Sequence, residues 1–355
     1  MSQILQQLLG LALPVIQAPM AGSQGSALAL AVSAAGGLGS LPAATLALPA
    51  LRAELELLRR EARGPWAVNF FCHRPPLRDE AREARWRAVL LPYYAEAGLE
   101  PPVGPAQAAR APFDAAAADL LEEFRPPVVS FHFGLPAPEL LARVKACGAR
   151  VLSSATTVEE ALWLQQHGAD AVIAQGLEAG GHRGIFLGDD LTTQSGTLAL
   201  LPRIVRAVRL PVIAAGGIAD AAGVAAARAL GAAGVQVGTA YLLCPEAQTG
   251  ALHRAALQSA AAGHTALTNV FTGRPARGIV NRAMRELGQV EAGSCISPFA
   301  PAFPLAASDL APLRAQAESR GRDDFTPLWA GQAAPLARAQ PAAELTRALA
   351  EGWQG

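Results

Sequence analysis

The chain of 355 residues contains little lysine and no excess of charge of either sign. Lys145 is its only lysine and lies in an apparently amphipathic helical segment, which argues against a lysine Schiff-base mechanism. The 29 basic side chains equal the 29 acidic ones. A balanced chain has no net field to attract nucleic acid or an anionic membrane, so neither is expected as a partner.

Cysteine is scarce, and no C-x-x-C pair occurs among Cys72, Cys147, Cys244 and Cys295. This spacing favours reduced thiols over a disulfide framework or a metal cage. The N-terminal stretch MSQILQQLLGLALPVIQAPMAG lacks the cationic region of a signal peptide. No uncharged apolar run reaches the roughly 18 residues of a membrane span. The sequence therefore predicts a cytoplasmic protein without a metal site.

Short β-branched runs alternate with Ala- and Leu-rich helical segments, which is typical of βα units around a parallel sheet. The predicted strands are Val15–Ala18, Leu38–Leu41, Ala67–Phe70, Val128–His132, Arg150–Ser153, Ala171–Gln175, Val212–Ala215 and Val235–Gly238. Helices are predicted between most of them, for example over Thr157–His167 and Ala219–Leu230. Eight such units favour a closed α/β (β/α)8 TIM barrel over an open doubly wound sheet.

Two stretches interrupt this rhythm and predict a smaller helical lid or second lobe at the carboxyl-terminal face of the barrel. One has Pro-rich turns around the helical REARWRAVLLPYY, and the other is helical and then rich in Gly, Pro and Ser. The predicted barrel comprises residues 1–72, 113–245 and 326–355, and the lobe comprises 246–325 together with 73–112. The final PAAELTRALAEGW predicts a closing amphipathic helix.

Glycine pairs follow the last two predicted barrel strands, in AAGGIAD (214–220) and QVGTAYL (236–242). Barrel enzymes often bind a phosphate at these two loops, through backbone amides and the start of a short helix. Gly216 and Gly217 would expose amides, and Thr239 beside Gly238 would add a hydroxyl donor. Either pair alone is typical of a tight βα turn. Together, after consecutive strands, they indicate a phosphate site.

The first strand ends in QAPMAG, where Met20 can lie against a flat apolar ring. A flat cofactor with a phosphate tail, such as FMN, fits a barrel mouth with this lining. Asn69 and Gln175 end the third and sixth strands and carry amides that can donate and accept. The alternatives are that Met20 only plugs the barrel and that both amides satisfy neighbouring backbone.

His182 lies in QGLEAGGHRG, in the loop that follows the sixth strand. A neutral imidazole there can accept a proton from carbon or hydrogen-bond an anionic substrate. A histidine in a glycine loop is often only a solvated turn residue, but its place on the catalytic face favours the reacting role. His132 ends the fourth strand and is either a substrate contact or a satisfied core histidine. His73, in a Pro-flanked loop, is a weaker candidate than His132. Five further residues could line a lid, but the pattern assigns them no role: Tyr93, Tyr94, Arg274, Arg277 and Trp329.

Taken jointly, these motifs resemble the class I nitronate monooxygenases, formerly called 2-nitropropane dioxygenases. The resemblance covers about residues 14–285 and rests on PVIQAPMAG, AVSAAGGLGSLP, WAVNFF, VVSFHFG, QGLEAGGHRG, PVIAAGGIAD and GVQVGTAYLLCPEA, with PLWAGQ near the end. Flavin enoyl-ACP reductases share the EAGGH segment and the phosphate loops. FHFG, TNVFTGRPARG and the absence of a nicotinamide fingerprint favour the monooxygenases.

The resemblance implies FMN as the cofactor and His182 as the active-site histidine. It places the flavin in a pocket with Ala18, Pro19, Met20, Asn69, Gln175, Gly180 and Gly181. It places the phosphate on Gly216, Gly217 and the turn of Gln236, Val237, Gly238 and Thr239. His132 is a further candidate for substrate contact.

The implied reaction is the oxidation of an anionic nitronate, or of a nitroalkane after deprotonation, by FMN and O2. Propionate 3-nitronate is one candidate substrate, the products are a carbonyl compound and nitrite, and NAD(P)H is not used. The protein would be a monomer or a homodimer. An NAD(P)H-dependent FMN reductase acting on quinones or enoyl thioesters is the alternative enzyme, and a non-catalytic flavin- or phospholigand-binding barrel is the alternative from another class.

Overall fold

A computed structural model describes residues 3–106, 110–291 and 294–354. Within them the strands are β1 Val15–Gln17, β2 Gly39–Pro42, β3 Trp66–Phe71, β4 Val128–His132, β5 Arg150–Ala155, β6 Ala171–Gln175, β7 Gly181–His182, β8 Val212–Ala215, β9 Gly234–Val237, β10 Thr265–Thr268, β11 Ala276–Ile279, β12 Gln289–Glu291 and β13 Ser294–Ile296. The helices of these ranges are α1 Ile4–Leu9, α2 Ser26–Ala34, α3 Leu48–Glu61, α4 Glu80–Ala97, α5 Ala115–Phe124, α6 Pro138–Ala146, α7 Val158–Gln166, α8 Thr197–Ala207, α9 Ala221–Ala229, α10 Ala251–Leu257, α11 Arg282–Leu287, α12 Ala306–Ser319 and α13 Ala342–Gln354.

The eight predicted strands form one parallel sheet in the order β1-β9-β8-β6-β5-β4-β3-β2. A parallel bridge between Ile16 and Leu38 joins the first strand of that order to the last. The Gln17 amide donates to the Leu38 carbonyl at 2.9 Å, and the Leu38 amide donates to the Val15 carbonyl at the same distance. The sheet is therefore closed, and the predicted (β/α)8 TIM-barrel fold is confirmed.

The predicted strand and helix positions agree with the structure to within a residue or two. The second strand, which the pattern placed at Leu38–Leu41, runs from Gly39 to Pro42. Side-chain caps fix the starts of the two helices given as examples above: Thr157 accepts from the Glu160 amide before α7, and Asp220 accepts from the Gly223 amide before α9. Such caps satisfy backbone donors that have no partner inside the helix.

Helix α1 closes the amino-terminal end of the barrel. Leu5 and Leu9 are buried against Ile16, Leu38 and other strand residues that fill the barrel interior. The outer layer consists of α2, α3, α5, α6, α7, α8, α9 and α13, with α13 packed between α2 and α9. No helix in the described part of the chain is long and apolar enough to cross a membrane.

The two interrupting stretches pack against each other beside the barrel. Trp86, Leu90 and Tyr94 of α4 are buried in one cluster with residues of α11 and α12. The structure adds a five-stranded sheet of order β12-β13-β10-β11-β7 that the sequence pattern did not predict. Its strands are only two to four residues long, so they carry little periodicity. Residues 107–109 and 292–293 of the predicted lobe lie outside the described residues.

Candidate active site

A cavity opens at the carboxyl ends of the barrel strands, with about 1380 Å³ of atom-free space including the part open to solvent. Small-molecule sites usually occupy about 300–1,000 Å³ at this position of a barrel. Every site residue predicted from the sequence except Val237 lines it: Ala18, Pro19, Met20, Asn69, His132, Gln175, Gly180, Gly181, His182, Gly216, Gly217, Gln236, Gly238 and Thr239. The Val237 side chain lies in the core, and its carbonyl accepts from the Ala18 amide at 2.8 Å.

Two buried glutamines shape the loop after β1. Gln17 Oε1 accepts from the Ser40 amide at 3.0 Å, and its Nε2 donates to Gln24 Oε1 at 2.6 Å. Gln24 Oε1 also accepts from the Met20 amide at 3.0 Å, and its Nε2 donates to the Ser40 carbonyl at 2.6 Å. This network ties the loop to β2, so Met20 is presented to the cavity by a fixed backbone.

Asn69 is buried at the end of β3, where its Nδ2 donates to Ser130 Oγ at 2.9 Å. Ser130 also lines the cavity and was not identified from the sequence. Within the described residues, Asn69 Oδ1 accepts no hydrogen bond. The Asn69 side chain is therefore oriented by Ser130 and keeps an acceptor for a ligand.

The two glycine loops present unpaired amides to the cavity. Gly216 and Gly217 have φ of +110° and +73°, in the region that favours glycine. Among the described residues, no oxygen accepts from the amides of Gly217 and Ile218 or from those of Thr239 and Ala240. The latter two begin a 3₁₀ helix over Thr239–Leu243. Four such donors on two adjacent loops are suited to bind an anion.

Glu178 connects the loop after β6 to the first of these glycine loops. Its carboxylate accepts from the Thr197 amide at 2.8 Å, at the first turn of α8. The Thr197 hydroxyl lies 2.9 Å from the Gly216 carbonyl and 3.0 Å from Glu178 Oε2. Since Glu178 supplies the acceptor at this helix start, α8 holds the loop in place rather than offering an anion site.

The PLWAGQ segment packs directly on the loop that carries His182. A Cβ added to Gly180 would lie 2.5 Å from the Gly331 nitrogen, closer than real contacts allow. The Gly331 amide donates to Thr239 Oγ1 at 2.9 Å, and the Gln332 amide donates to the Glu178 carbonyl at 2.9 Å. Glycine at position 180 is therefore needed for this close backbone approach.

Gln175 and His132 hold the backbone around His182. Gln175 Nε2 donates to the His182 carbonyl at 2.9 Å, while its Oε1 accepts from the Gly184 amide at 2.7 Å. His132 Nε2 lies 3.2 Å from the same carbonyl, and its Nδ1 lies 2.5 Å from Ser154 Oγ. Because a carbonyl only accepts, Nε2 carries the proton and Nδ1 accepts from Ser154.

The His182 imidazole lies among aromatic rings and makes one hydrogen bond. Its centroid is 5.3 Å from that of Phe303 and 5.7 Å from that of Trp329. Its Nε2 is 2.9 Å from Thr272 Oγ1, which is also 3.3 Å from the Arg274 carbonyl. The Thr272 hydroxyl can satisfy both neighbours if it donates to the Arg274 carbonyl and accepts from His182 Nε2–H. We therefore assign the lone pair to His182 Nδ1, which has no hydrogen-bond partner among the described residues.

The surroundings keep the histidines of this region neutral. Burial lowers the pKa of His182 well below its ordinary value, and the positive charge of Arg110 lowers it further. Burial also lowers the pKa of His132 to about 3 and that of His73 to about 4, with Arg274 adding to both shifts. Neutral imidazoles can accept a proton or a hydrogen bond at physiological pH.

The lowered histidine pKa values predict a loss of stability as the pH falls from about 7 to 5. An unfolded histidine binds a proton near pH 6.5, whereas burial lowers the pKa of both His73 and His253 to about 4 in the folded protein. The unfolded state therefore binds more protons in this window, so the free energy of unfolding falls with acidification. At pH 5 each of the two contributes about 2 kcal/mol to that loss.

Urea unfolding at pH 7 and pH 5 tests this expectation. In His253→Gln the difference in unfolding free energy between the two pH values should shrink by about 2 kcal/mol. His167→Gln, which removes an exposed imidazole, is the matched control and should keep the full difference. An identical pH dependence in both variants would contradict the assignment of acid sensitivity to buried histidines.

The remaining lid candidates divide into cavity and framework residues. Trp329 lines the cavity. The two arginines among these candidates are framework residues. Arg277 donates to the Leu177 carbonyl at 2.9 Å, and the guanidinium of Arg274 lies 3.8 Å from the centroid of the Phe133 ring. Tyr94 donates to the Asp309 carbonyl at 2.7 Å, and Tyr93 packs on Phe325, so both tyrosines belong to the α4 packing and are absent from the cavity wall.

Besides Ser130, further polar residues near the site were missed by the sequence reasoning. Arg183 is fully buried and donates to the carbonyls of Gln175 and Gly176 at 2.8 and 2.7 Å, with its pKa lowered by burial to about 9. Ser154 and Arg110 line the cavity. Arg183 follows the QGLEAGGH motif directly, so its position next to the motif could have predicted a place near the site. Arg110 lies in a loop without periodicity and gave none.

The comparisons with known proteins decide the family. A model of the nitronate monooxygenase family matches residues 2–352. The chain belongs to the nitronate monooxygenase family. It is 45% identical over 350 residues to the nitronate monooxygenase of Pseudomonas aeruginosa, covering 98% of each chain. This name denotes an oxidoreductase, and the predictions of family and enzyme class are confirmed.

Solved structures agree with membership of the nitronate monooxygenase family. The nitroalkane oxidase of Streptomyces ansochromogenes superposes with a TM-score of 0.88 at 39% identity, covering 99% of both chains. FabK of Thermotoga maritima superposes with a TM-score of 0.73 at 26% identity, covering 100% of this chain and 96% of its own. The nitroalkane-oxidising relative is thus the nearer of the two in both sequence and fold.

Proposed function

We propose that this enzyme oxidises alkyl nitronates with bound FMN and dioxygen, yielding a carbonyl compound and nitrite without NAD(P)H. One observation carries the proposal: a single cavity joins the unpaired amides of two glycine loops to a neutral histidine near the positive charges of Arg110 and Arg274. The first end is suited to the phosphate of a cofactor. The second is suited to an anionic substrate.

The atoms that line the cavity support FMN as the bound group. The amides of Gly217, Ile218, Thr239 and Ala240 are four unpaired donors for a phosphate. A Cβ added to Gly238 would meet Ala18 Cβ at 3.3 Å and Met20 Sδ at 3.7 Å, so glycine leaves room between that loop and the β1 loop. Beside it, Ala18, Pro19 and Met20 supply an apolar wall for a flat ring, and Asn69 supplies a fixed polar group.

Bound FMN would supply the redox chemistry, accepting an electron from the nitronate and passing it to dioxygen. The chain's residues bind and orient the substrate. The net change breaks the C=N bond of the nitronate and forms a C=O bond, so that two nitronates and one O2 balance two carbonyl compounds and two nitrite ions. No proton has to leave the carbon of a preformed nitronate, so general-base catalysis is needed only for the neutral nitroalkane.

His182 would accept a carbon proton at Nδ1, and the Nδ1–H so formed would donate to the nitro oxygens. Phe303 and Trp329 pack against its ring and limit the access of water. Burial and nearby cations lower its pKa, which makes it a weak base. We therefore infer that the nitronate anion is the preferred substrate and that the neutral nitroalkane is turned over more slowly.

The proposal is tested by a visible spectrum of the purified protein and by oxygen uptake with ethyl nitronate. A yellow protein that consumes oxygen and releases nitrite, with no requirement for NADH or NADPH, is the expected result. Anaerobic bleaching of the flavin by a pyridine nucleotide, with none by nitronate, would support instead the reductase that the similarity to FabK keeps open. A yellow protein bleached by neither would be a binding barrel.

A further inference from the structure

The substrate end of the cavity contains a guanidinium with unused donors. Arg110 lines the cavity, and its Nε and Nη1 are buried without a hydrogen-bond partner. Its carbon Cζ lies 5.8 Å from the centroid of Phe303, the ring that also contacts His182. A buried donor without a partner is costly, and more so when it is charged. Such a group calls for an anionic partner.

The neighbours of Arg110 add the positive charge of Arg314 and hold its backbone. His73 forms a hydrogen bond with the Arg110 backbone. Among the residues that line the cavity, Glu178 is the only acid, and its carboxylate is bound to Thr197. No carboxylate of the described cavity wall is therefore free to neutralise Arg110.

We propose that Arg110 is the anion receptor of this site and selects the nitronate over the neutral nitroalkane. The inference rests on the proposed function and names a residue that determines its specificity. A nitronate differs from its nitroalkane by one proton and one negative charge spread over two oxygens. The planar guanidinium presents paired N–H donors to such a group, forming charge-assisted hydrogen bonds. The neutral nitro group accepts the same bonds far more weakly.

The test compares Arg110→Gln with the wild-type holoenzyme on ethyl nitronate and nitroethane. KM for ethyl nitronate should rise about 10- to 100-fold in the variant, the loss typical of a hydrogen bond to a charged group. KM for nitroethane should change less than about twofold, since the neutral nitro group accepts these hydrogen bonds only weakly. Arg110→Lys, which keeps the charge, should lose less than Arg110→Gln.

A binding measurement without turnover accompanies the kinetics. Titration calorimetry with nitrate, a planar anion with the same nitrogen–oxygen geometry, should show its Kd rising by the same factor in Arg110→Gln. Arg59→Gln is the matched control, because Arg59 also stacks on a phenylalanine, Phe124 at 4.7 Å, but does not line the cavity. Flavin content and thermal unfolding identify a variant that has simply misfolded.

The outcomes separate the two proposals. Unchanged nitrate affinity and unchanged KM for ethyl nitronate in a folded Arg110→Gln would overturn the role of Arg110, as would an equal rise in KM for both substrates. A wild-type protein that does not bind nitrate would overturn it as well. If the wild type left ethyl nitronate unoxidised while Arg110→Gln still lost nitrate affinity, the proposed function would fail and the anion receptor would stand.

Discussion

Replacing His182 with asparagine is expected to lower kcat for nitroethane by about 10²- to 10⁴-fold, the usual contribution of a general base. The free lone pair assigned to Nδ1 is the group that would accept the carbon proton. Asparagine keeps a donor for Thr272 but has no comparable base. The backbone of His182 is held by Gln175 and His132, so the loop and the cofactor should stay in place.

Steady-state kinetics on nitroethane and ethyl nitronate check this expectation. Turnover of ethyl nitronate should fall much less, because the nitronate carries no proton that has to be removed. His167→Asn, at an exposed position outside the cavity, should behave as the wild type on both substrates. Equal turnover of nitroethane by His182→Asn and wild type would show that His182 takes no part in the reaction.

Replacing Gly217 with valine is expected to yield a protein that purifies with little or no flavin. Gly217 has φ of +73°, a conformation that costs an L-residue roughly 1–2 kcal/mol and a β-branched one more. If the loop relaxes to a negative φ, the amides of Gly217 and Ile218 turn away from the phosphate. A loss of about 1.4 kcal/mol in binding already lowers flavin affinity tenfold.

The flavin-to-protein ratio after purification, from visible and ultraviolet absorbance, measures the effect. Gly321→Val is the matched control, since Gly321 also has φ of +73°, is exposed and has no atom within 4 Å of its added Cβ. It carries the same backbone strain outside the cavity and should keep its flavin. Stoichiometric flavin in Gly217→Val would place the phosphate elsewhere, and loss of flavin in both variants would indicate general destabilisation.

The barrel could be predicted from the sequence because its signals are local. Each strand is a short β-branched run that repeats with its helix, and the glycine loops lie at fixed offsets from β8 and β9. The motif around His182 likewise stands directly after β6. The carboxyl ends of all eight parallel strands lie at one end of a barrel. Residues that follow these strands are therefore expected to line one cavity. Their roles, the domain boundaries, the cytoplasmic location and the monomeric or dimeric state stay predictions.

The rest of the site depends on contacts between distant segments. His132 meets the His182 carbonyl across 50 residues, and Thr272 meets the His182 ring across 90. Arg110 reaches the cavity from a loop outside the strand rhythm. No period or spacing encodes such pairings, because they are fixed only when distant segments of the chain pack together. The same reason hides the strands of the five-stranded sheet.

Strand β7 belongs to the lobe's sheet, and this has a mechanical consequence. His182 pairs with Ala276 and Gly181 pairs with Arg277, while the Arg183 amide donates to the Pro275 carbonyl at 2.8 Å. The backbone that carries the imidazole is thus paired with the five-stranded sheet as well as held by barrel residues. A tilt of that sheet would move the imidazole with it. The distance between the imidazole and a group bound at the glycine loops would then change. Substitutions in β10 or β11 are therefore expected to change the position of His182, and with it the rate of the reaction, although they lie outside the cavity wall.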